Sequence, residues 1–212
     1  MYSLFFLSLL TAALAAPSLA PRPTSDSSSC MCADDAQQVA SNFQALIGQP
    51  FSATLAEAAL APTFTDYSDS VIELINAGCP GPLTLGNPTF TSRETFIQGQ
   101  GKQAPIPFQI LNLYNTCSAV ILRWRSSAPG FVQPEQQVTG IIILETVANP
   151  DAAAAASQPW LIETVYSEFN SGAWLIDVGN FTASCNAPTR RDGAFAGRMH
   201  ASIRNVGRRT LL

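Results

Sequence analysis

One histidine, His200, is all that the 212 residues contain. A lone imidazole excludes a multi-histidine metal site, and no metal is expected. Charge is scarce as well: only 12% of side chains are charged, against 47% apolar, which excludes a wholly disordered chain. The net charge of -4 gives no general attraction to nucleic acid. No apolar run approaches the ~20 residues a membrane span needs. There is no Gly-rich phosphate loop, no dinucleotide fingerprint and no internal repeat, so no cofactor is expected. The length suits one domain with extensions.

The two ends differ from the middle. Residues 1–15 carry an apolar run from Leu4 to Leu14, closed by Ala13-Leu14-Ala15. That run is too short to span a bilayer and fits a cleaved export signal. A secreted, extracellular product is therefore expected, with no membrane attachment once the signal is removed. Residues 16–31 are rich in Pro and Ser and read as a disordered linker. Beyond Thr189 the chain turns basic, with Arg190, Arg191, Arg198, Arg204, Arg208 and Arg209 against Asp192. Residues 189–212 read as a disordered basic tail, which leaves 32–188 as the domain. The remaining basic residues are scattered, so the body carries no nucleic-acid footprint.

The cysteines are Cys30, Cys32, Cys79, Cys117 and Cys185. In an oxidising compartment disulfides are the default. The expected pairs are Cys32–Cys185, joining the two ends of the domain, and Cys79–Cys117, joining a helix end to a strand. Cys30 is then the spare thiol. Asn180-Phe181-Thr182 makes Asn180 a glycosylation acceptor.

Within the body, helices come first. Ala36, Val39, Ala40, Phe43, Leu46 and Ile47 fall on one helical face, with Asp34 as cap and Gly48 and Pro50 as stops. A short helix follows from Ser52. Ser70–Glu73 and Thr91–Glu94 read as capping boxes opening two more. Strands are then expected over 106–116, 119–126, 137–147, 160–169 and 173–181, the last two joined by a hairpin at Asn170-Ser171-Gly172. Residues 149–159 read as a loop. Short connections predict antiparallel pairing, with the helices covering one face. A long bent sheet wrapped around helices is a cone with an open mouth.

The segments DAQQVASNFQALI, FTDYSDSVIELINAGC, PIPFQILNLYNTC, VTGIIILETV and WLIETVYSEFNSGAWLIDVGNF resemble the secreted fungal proteins with a nuclear-transport-factor-2-like domain. The resemblance runs from Asp34 to Cys185. It implies an α+β cone, with N-terminal helices packed in a strongly bent antiparallel sheet. That superfamily includes ketosteroid isomerase, scytalone dehydratase and polyketide cyclases beside non-catalytic members. The histidines of the scytalone dehydratase kind of site have no counterpart here. Nor does the hydroxyl donor on the first helix, where Phe43 is the sole aromatic.

Without histidine in the body, catalysis narrows to carboxylates and tyrosines. Asp66, Tyr67 and Asp69 are the catalytic candidates, with helix capping or turn formation as their plain alternative. On the strands, alternation puts Ile162, Thr164, Tyr166 and Glu168 on one face and Leu161, Glu163, Val165 and Ser167 on the other. Arg123 or Arg125 can pair across strands with Glu145, Glu163 or Glu168. Phe43, Tyr114, Arg123, Glu145, Tyr166 and Glu168 are the candidate pocket residues. The function expected is a non-enzymatic secreted domain that binds a small apolar ligand. A protein partner, or a homodimer through the sheet, is the other interaction considered. The alternative is a cofactor-free isomerase, dehydratase or cyclase using a carboxylate and a tyrosine.

Overall fold

The computed structural model describes residues 30–48, 50–126 and 135–182. The expected export signal, the basic tail and Cys185 lie outside these described residues.

The described residues form six helices and five strands. Helix α1 (Ala33–Gly48) buries Ala36, Val39, Ala40, Phe43 and Leu46, the face its periodicity marks. It starts one residue before the expected Asp34 cap, because the Ala36 N–H donates to the Cys32 carbonyl. Asp34 and Asp35 instead sit in the first turn, where negative charge suits the helix dipole. Helix α2 (Ala53–Ala59) is capped by Ser52. Two capping expectations need correction. In α3 (Asp69–Ile75) the cap is Ser68, which accepts from the Val71 N–H, not Ser70. In α4 (Arg93–Gln100) Ser92 and Thr95 cap each other, in place of Thr91 and Glu94.

The strands are β1 (Leu60–Tyr67), β2 (Gln109–Asn115), β3 (Ala119–Ser126), β4 (Val138–Ala148) and β5 (Trp160–Phe169). They form one sheet in the order β1-β5-β4-β3-β2. The pairs β2–β3, β3–β4 and β4–β5 are antiparallel, as short connections demand. Strand β1 runs parallel to β5, so the sheet is mixed rather than purely antiparallel. The whole β2–β4 meander separates the two strands in sequence, so no short turn constrains their direction. Sequence periodicity misses β1 because Pro62 interrupts it. An edge strand tolerates that proline, since its outward side needs no ladder donor.

Two further expectations fail. Residues 173–181 are not a strand: helix α6 (Ser171–Asp177) occupies this stretch and buries Ser171, Trp174 and Leu175, a helical spacing. Asn170 forms no hairpin turn. Its Oδ1 accepts from the Thr139 N–H at 2.6 Å and its Nδ2 donates to the Gln137 carbonyl at 3.0 Å, tying the helix start to β4. Inside the expected loop 149–159, Asp151 caps a single helical turn, α5 (Ala152–Ala155).

The cysteine pairing is also corrected. Cys30 bonds Cys117, so Cys30 is not the spare and Cys79 does not reach Cys117. The cause is the path of the chain entering the domain. The Met31 N–H donates to the Cys117 carbonyl at 3.0 Å, and the Asn115 amide donates to the Met31 carbonyl. The Met31 side chain is buried in the core, so the folded body begins by Cys30, inside the expected linker. Cys79 is exposed beyond the end of α3, and Cys32 is exposed without a disulfide to any described residue; the expected Cys32–Cys185 pair involves a residue outside them.

Helix α1 lies on the concave side of the sheet. Its apolar face joins Val120, Leu122, Trp124, Ile142, Leu144, Ile162 and Val165 in one core. Each such large side chain contributes about 1.5–3 kcal/mol when fully buried. Register shifts at Ile110/Asn112 and Glu145/Thr146 give the sheet its bend. The shift at Glu145/Thr146 leaves Glu163 as the extra residue on β5 and so brings Ile162 and Val165 into the same core, where strict alternation would split them.

Gly140 on β4 is a packing requirement. A Cβ there would stand 2.5 Å from the Glu168 carbonyl oxygen, 2.7 Å from Phe169 Cβ and 2.7 Å from Trp124 Nε1. Gly140→Ala is expected to destabilise the fold by about 1–3 kcal/mol. Urea unfolding checks this, and a neutral effect would mean that the indole is not held against this strand.

Candidate functional site

Between the concave face of the sheet and helices α1, α3, α4 and α6 lies a cavity of about 590 Å³. Its walls are mostly apolar. Aromatic rings share them with aliphatic side chains, from Phe43 on α1 to Phe169 and Trp174 at the far end. Trp124 stacks on Phe108 with ring centroids 4.7 Å apart, and Phe169 meets both Trp124 and Trp174 edge-on or tilted. The polar side chains that join them include Asp66, Gln100 and Ser167, all buried. No Lys, Arg or His is among the described lining residues.

Asp66 is the chemically distinctive group. Alternation along β1 turns Phe64 and Asp66 inward while Thr65 and Tyr67 turn outward. The Asp66 backbone is held from both sides. It pairs with Val165 on β5, and its N–H donates to the Phe90 carbonyl at 2.9 Å while its own carbonyl accepts from the Thr89 N–H at 2.7 Å. The side chain is only 6% exposed, and its Oδ1 finds no hydrogen-bond partner. Burial, with a smaller contribution from the nearby Glu168 charge, pushes the carboxyl up to about 7.

The other sequence candidates lie elsewhere. Tyr67 stacks on Tyr166 at 5.5 Å, and Tyr166 is 42% exposed, so neither hydroxyl lines the cavity. Asp69 opens α3 behind the Ser68 cap, and its Oδ1 accepts from the Gly86 N–H at 2.6 Å, so it does not cap the helix as the plain alternative has it. Glu168 turns to the start of α3, accepting from the Asp69 and Ser70 N–H groups at 3.0 and 3.1 Å and from the Ser70 hydroxyl. Tyr114 is 62% exposed, and Arg123 and Glu145 are exposed as well. The expected cross-strand ion pairs do not form in this register: Arg123 faces Ile141, Glu145 faces Ala119 and Thr164, and Arg125 donates to Gln109 at 2.7 Å. Of the expected pocket residues, Phe43 is the one among the lining residues. Asn180 is exposed at the cavity rim.

Sequence reasoning missed Gln100, Ser167 and the Trp124–Phe169 pair. Ser167 was legible as sharing a face with Val165. Gln100 and Trp174 were not, because their places depend on how α4 and α6 close over the sheet.

Among the described residues there is no group of three or more His, Cys, Asp or Glu able to hold a metal ion. No helix there is long and apolar enough to cross a membrane.

The family model for the NTF2-like domain matches residues 29–181, well over half of the chain. The chain belongs to the NTF2-like family. Its mixed, bent sheet with helices on the concave side is the NTF2-like α+β cone. Solved structures similar to this NTF2-like chain include TsrD from Streptomyces laurentii, at 12% identity and a TM-score of 0.46, covering 71% of this chain and 99% of that one. Another is a putative SnoaL-like polyketide cyclase from Jannaschia sp. CCS1, at 10% identity and a TM-score of 0.41, covering 67% and 92%. A third is an NTF-2-like protein of unknown function from Silicibacter pomeroyi DSS-3, at 8% identity and a TM-score of 0.39, covering 65% and 94%. No functionally curated protein matches the chain.

The buried carboxyl makes stability depend on pH. Below about pH 4, Asp66 is protonated both folded and unfolded and contributes nothing. As pH rises, the unfolded chain releases this proton while the folded chain holds it to about pH 7, so stability falls across this window and levels off above it. The cost at high pH is on the order of 4 kcal/mol. Asp66→Asn is therefore expected to raise Tm at pH 8 and to leave it unchanged at pH 4. A gain equal at both pH values would show that the carboxyl is not desolvated.

Proposed function

We propose that this chain is a secreted, non-enzymatic binding protein whose cavity holds a small apolar ligand. The observation that carries this reading is the cavity itself: about 590 Å³, walled mainly by apolar side chains, with polar groups at a few points. Small-molecule sites have that size and composition. Export is supported by the apolar run Leu4–Leu14 ahead of Ala13-Leu14-Ala15, and by the resemblance to secreted fungal proteins. The outward turn of Tyr67 favours binding over catalysis, since it removes the tyrosine that a carboxylate–tyrosine pair would need.

A neutral fluorophore, Nile red, tests the reading. It is expected to bind one per chain and to take up energy from Trp124 and Trp174. Val71 lines the cavity and is half-buried. Val71→Trp should weaken Nile red by about tenfold or more while leaving Tm nearly unchanged. Absence of saturable binding, or equal binding by the filled variant, would remove this reading.

A second reading is favoured by one observation, the Asp66 carboxyl lifted to about 7 in an apolar wall. A carboxylate so placed is a general base tuned to neutral pH, and Gln100 and Ser167 are the polar side chains available beside it. On this reading the protein is a cofactor-free isomerase, dehydratase or cyclase. Bound 2-tetralone should then exchange its α-protons in D2O faster than in buffer, and Asp66→Asn should slow that exchange about 100-fold. Exchange no faster than in buffer leaves the binding reading alone.

A further inference from the structure

We infer that the ligand of this cavity carries a positively charged nitrogen: an apolar amine with its charge set against Asp66. The inference rests on the ligand-binding reading above and names the chemical class that the cavity selects.

Three observations converge. First, Asp66 is a buried carboxylate whose Oδ1 no group of the described residues satisfies. A buried charge left unpaired is costly, and proteins ordinarily pair it or neutralise it. Second, the described residues supply no counter-charge. Among the described residues no basic side chain lines the cavity, and Lys102, between the lining residues Gln100 and Gln103, is exposed. Arg93 donates to the carbonyl oxygens of Glu57 and Leu60, Arg125 donates to Gln109, and Arg123 is exposed on the outer face of the sheet. Third, the walls carry aromatic rings, among them Phe43, Phe90, Phe108, Trp124, Phe169 and Trp174, and a cation over the face of such a ring is attracted to it.

The sign of the surrounding charge agrees. On the elements packed against Asp66 the titratable groups are Glu57 on α2, Asp69 and Glu73 on α3, Arg93 and Glu94 on α4, and Glu163, Tyr166 and Glu168 on β5. Glu168 is the one that acts on Asp66, and it adds negative charge. An anionic ligand meets repulsion, a neutral one leaves the carboxylate uncompensated, and an ammonium compensates it. Amine binding favours ionised Asp66, so it releases a proton wherever Asp66 is protonated beforehand, and it weakens as pH falls below about 7.

Isothermal titration calorimetry of the full chain with three probes tests this: 1-naphthylmethylamine, 1-naphthylmethanol and 1-naphthoate. The amine remains cationic from pH 5.5 to 8. At pH 8 it is expected to bind about tenfold tighter than the alcohol or more, with naphthoate weakest; at pH 5.5 the preference should shrink to within about threefold. Asp66→Asn should remove the preference at pH 8 and keep alcohol binding. Alcohol binding equal to amine binding at pH 8 overturns the inference and leaves the binding reading standing, as does an amine preference that survives Asp66→Asn. If none of the three binds, both fall.

Discussion

Strand β1 has few ways to stay on this sheet. It is an edge strand, it contains Pro62, and it is joined to β5 only through space. Its parallel pairing with β5, from Thr65 against Thr164 to Tyr67 against Tyr166, fixes which way its side chains face. A slip of one residue would turn Asp66 outward and bring Tyr67 into the cavity. The Thr89–Phe90 segment closes the other side of the strand with hydrogen bonds to the Asp66 backbone, so the register is clamped twice at the one residue that gives the cavity its charge. Outside, the Tyr67–Tyr166 stack adds a same-face contact across the same pair of strands.

The far wall is set by a different constraint. Trp124 can lie flat on Phe108 only because Gly140 leaves room for its indole edge. Phe169 then meets that indole, and Trp174 meets Phe169. The aromatic chain thus runs from β3 through β5 to α6, which is why residues 171–177 fold as a helix over the cavity instead of extending the sheet. The two walls have opposite characters: one holds an ionisable group rigidly, the other offers ring faces.

Much of this was legible in the sequence. The periodicity of α1 marked its buried face, and the strands at 119–126 and 160–169 were visible from their β-branched and aromatic content. Asp66 was marked too, as a carboxylate in a chain short of other chemistry. What was not legible depends on contacts distant in sequence. The stretch 173–181 is apolar enough for either a helix or a strand, and only the packing of Trp174 and Leu175 decides. The bulge at Glu145/Thr146 breaks the period of two on which face assignments rest. The Cys30–Cys117 bond follows from Met31 docking in the core, and spacing alone does not reveal that. Tyr67 and Asp66 are neighbours that alternation separates, so a pairing of the two in one site could not survive a strand.

The shortage of histidine acquires a meaning from this arrangement. In most proteins a response between pH 5 and 8 falls to imidazole. Here the described residues contain none, since His200 lies outside them. The group lifted into that range is a carboxyl, and it is lifted by the same apolar wall that makes the cavity a ligand site. The two properties cannot be tuned apart. A wetter cavity would return Asp66 toward an ordinary carboxylate and weaken apolar binding together; a drier one would do the reverse. A sequence that keeps an unpaired acid in such a wall accepts lower stability at neutral pH than an amide there would give, which is intelligible if the acid acts on what enters the cavity.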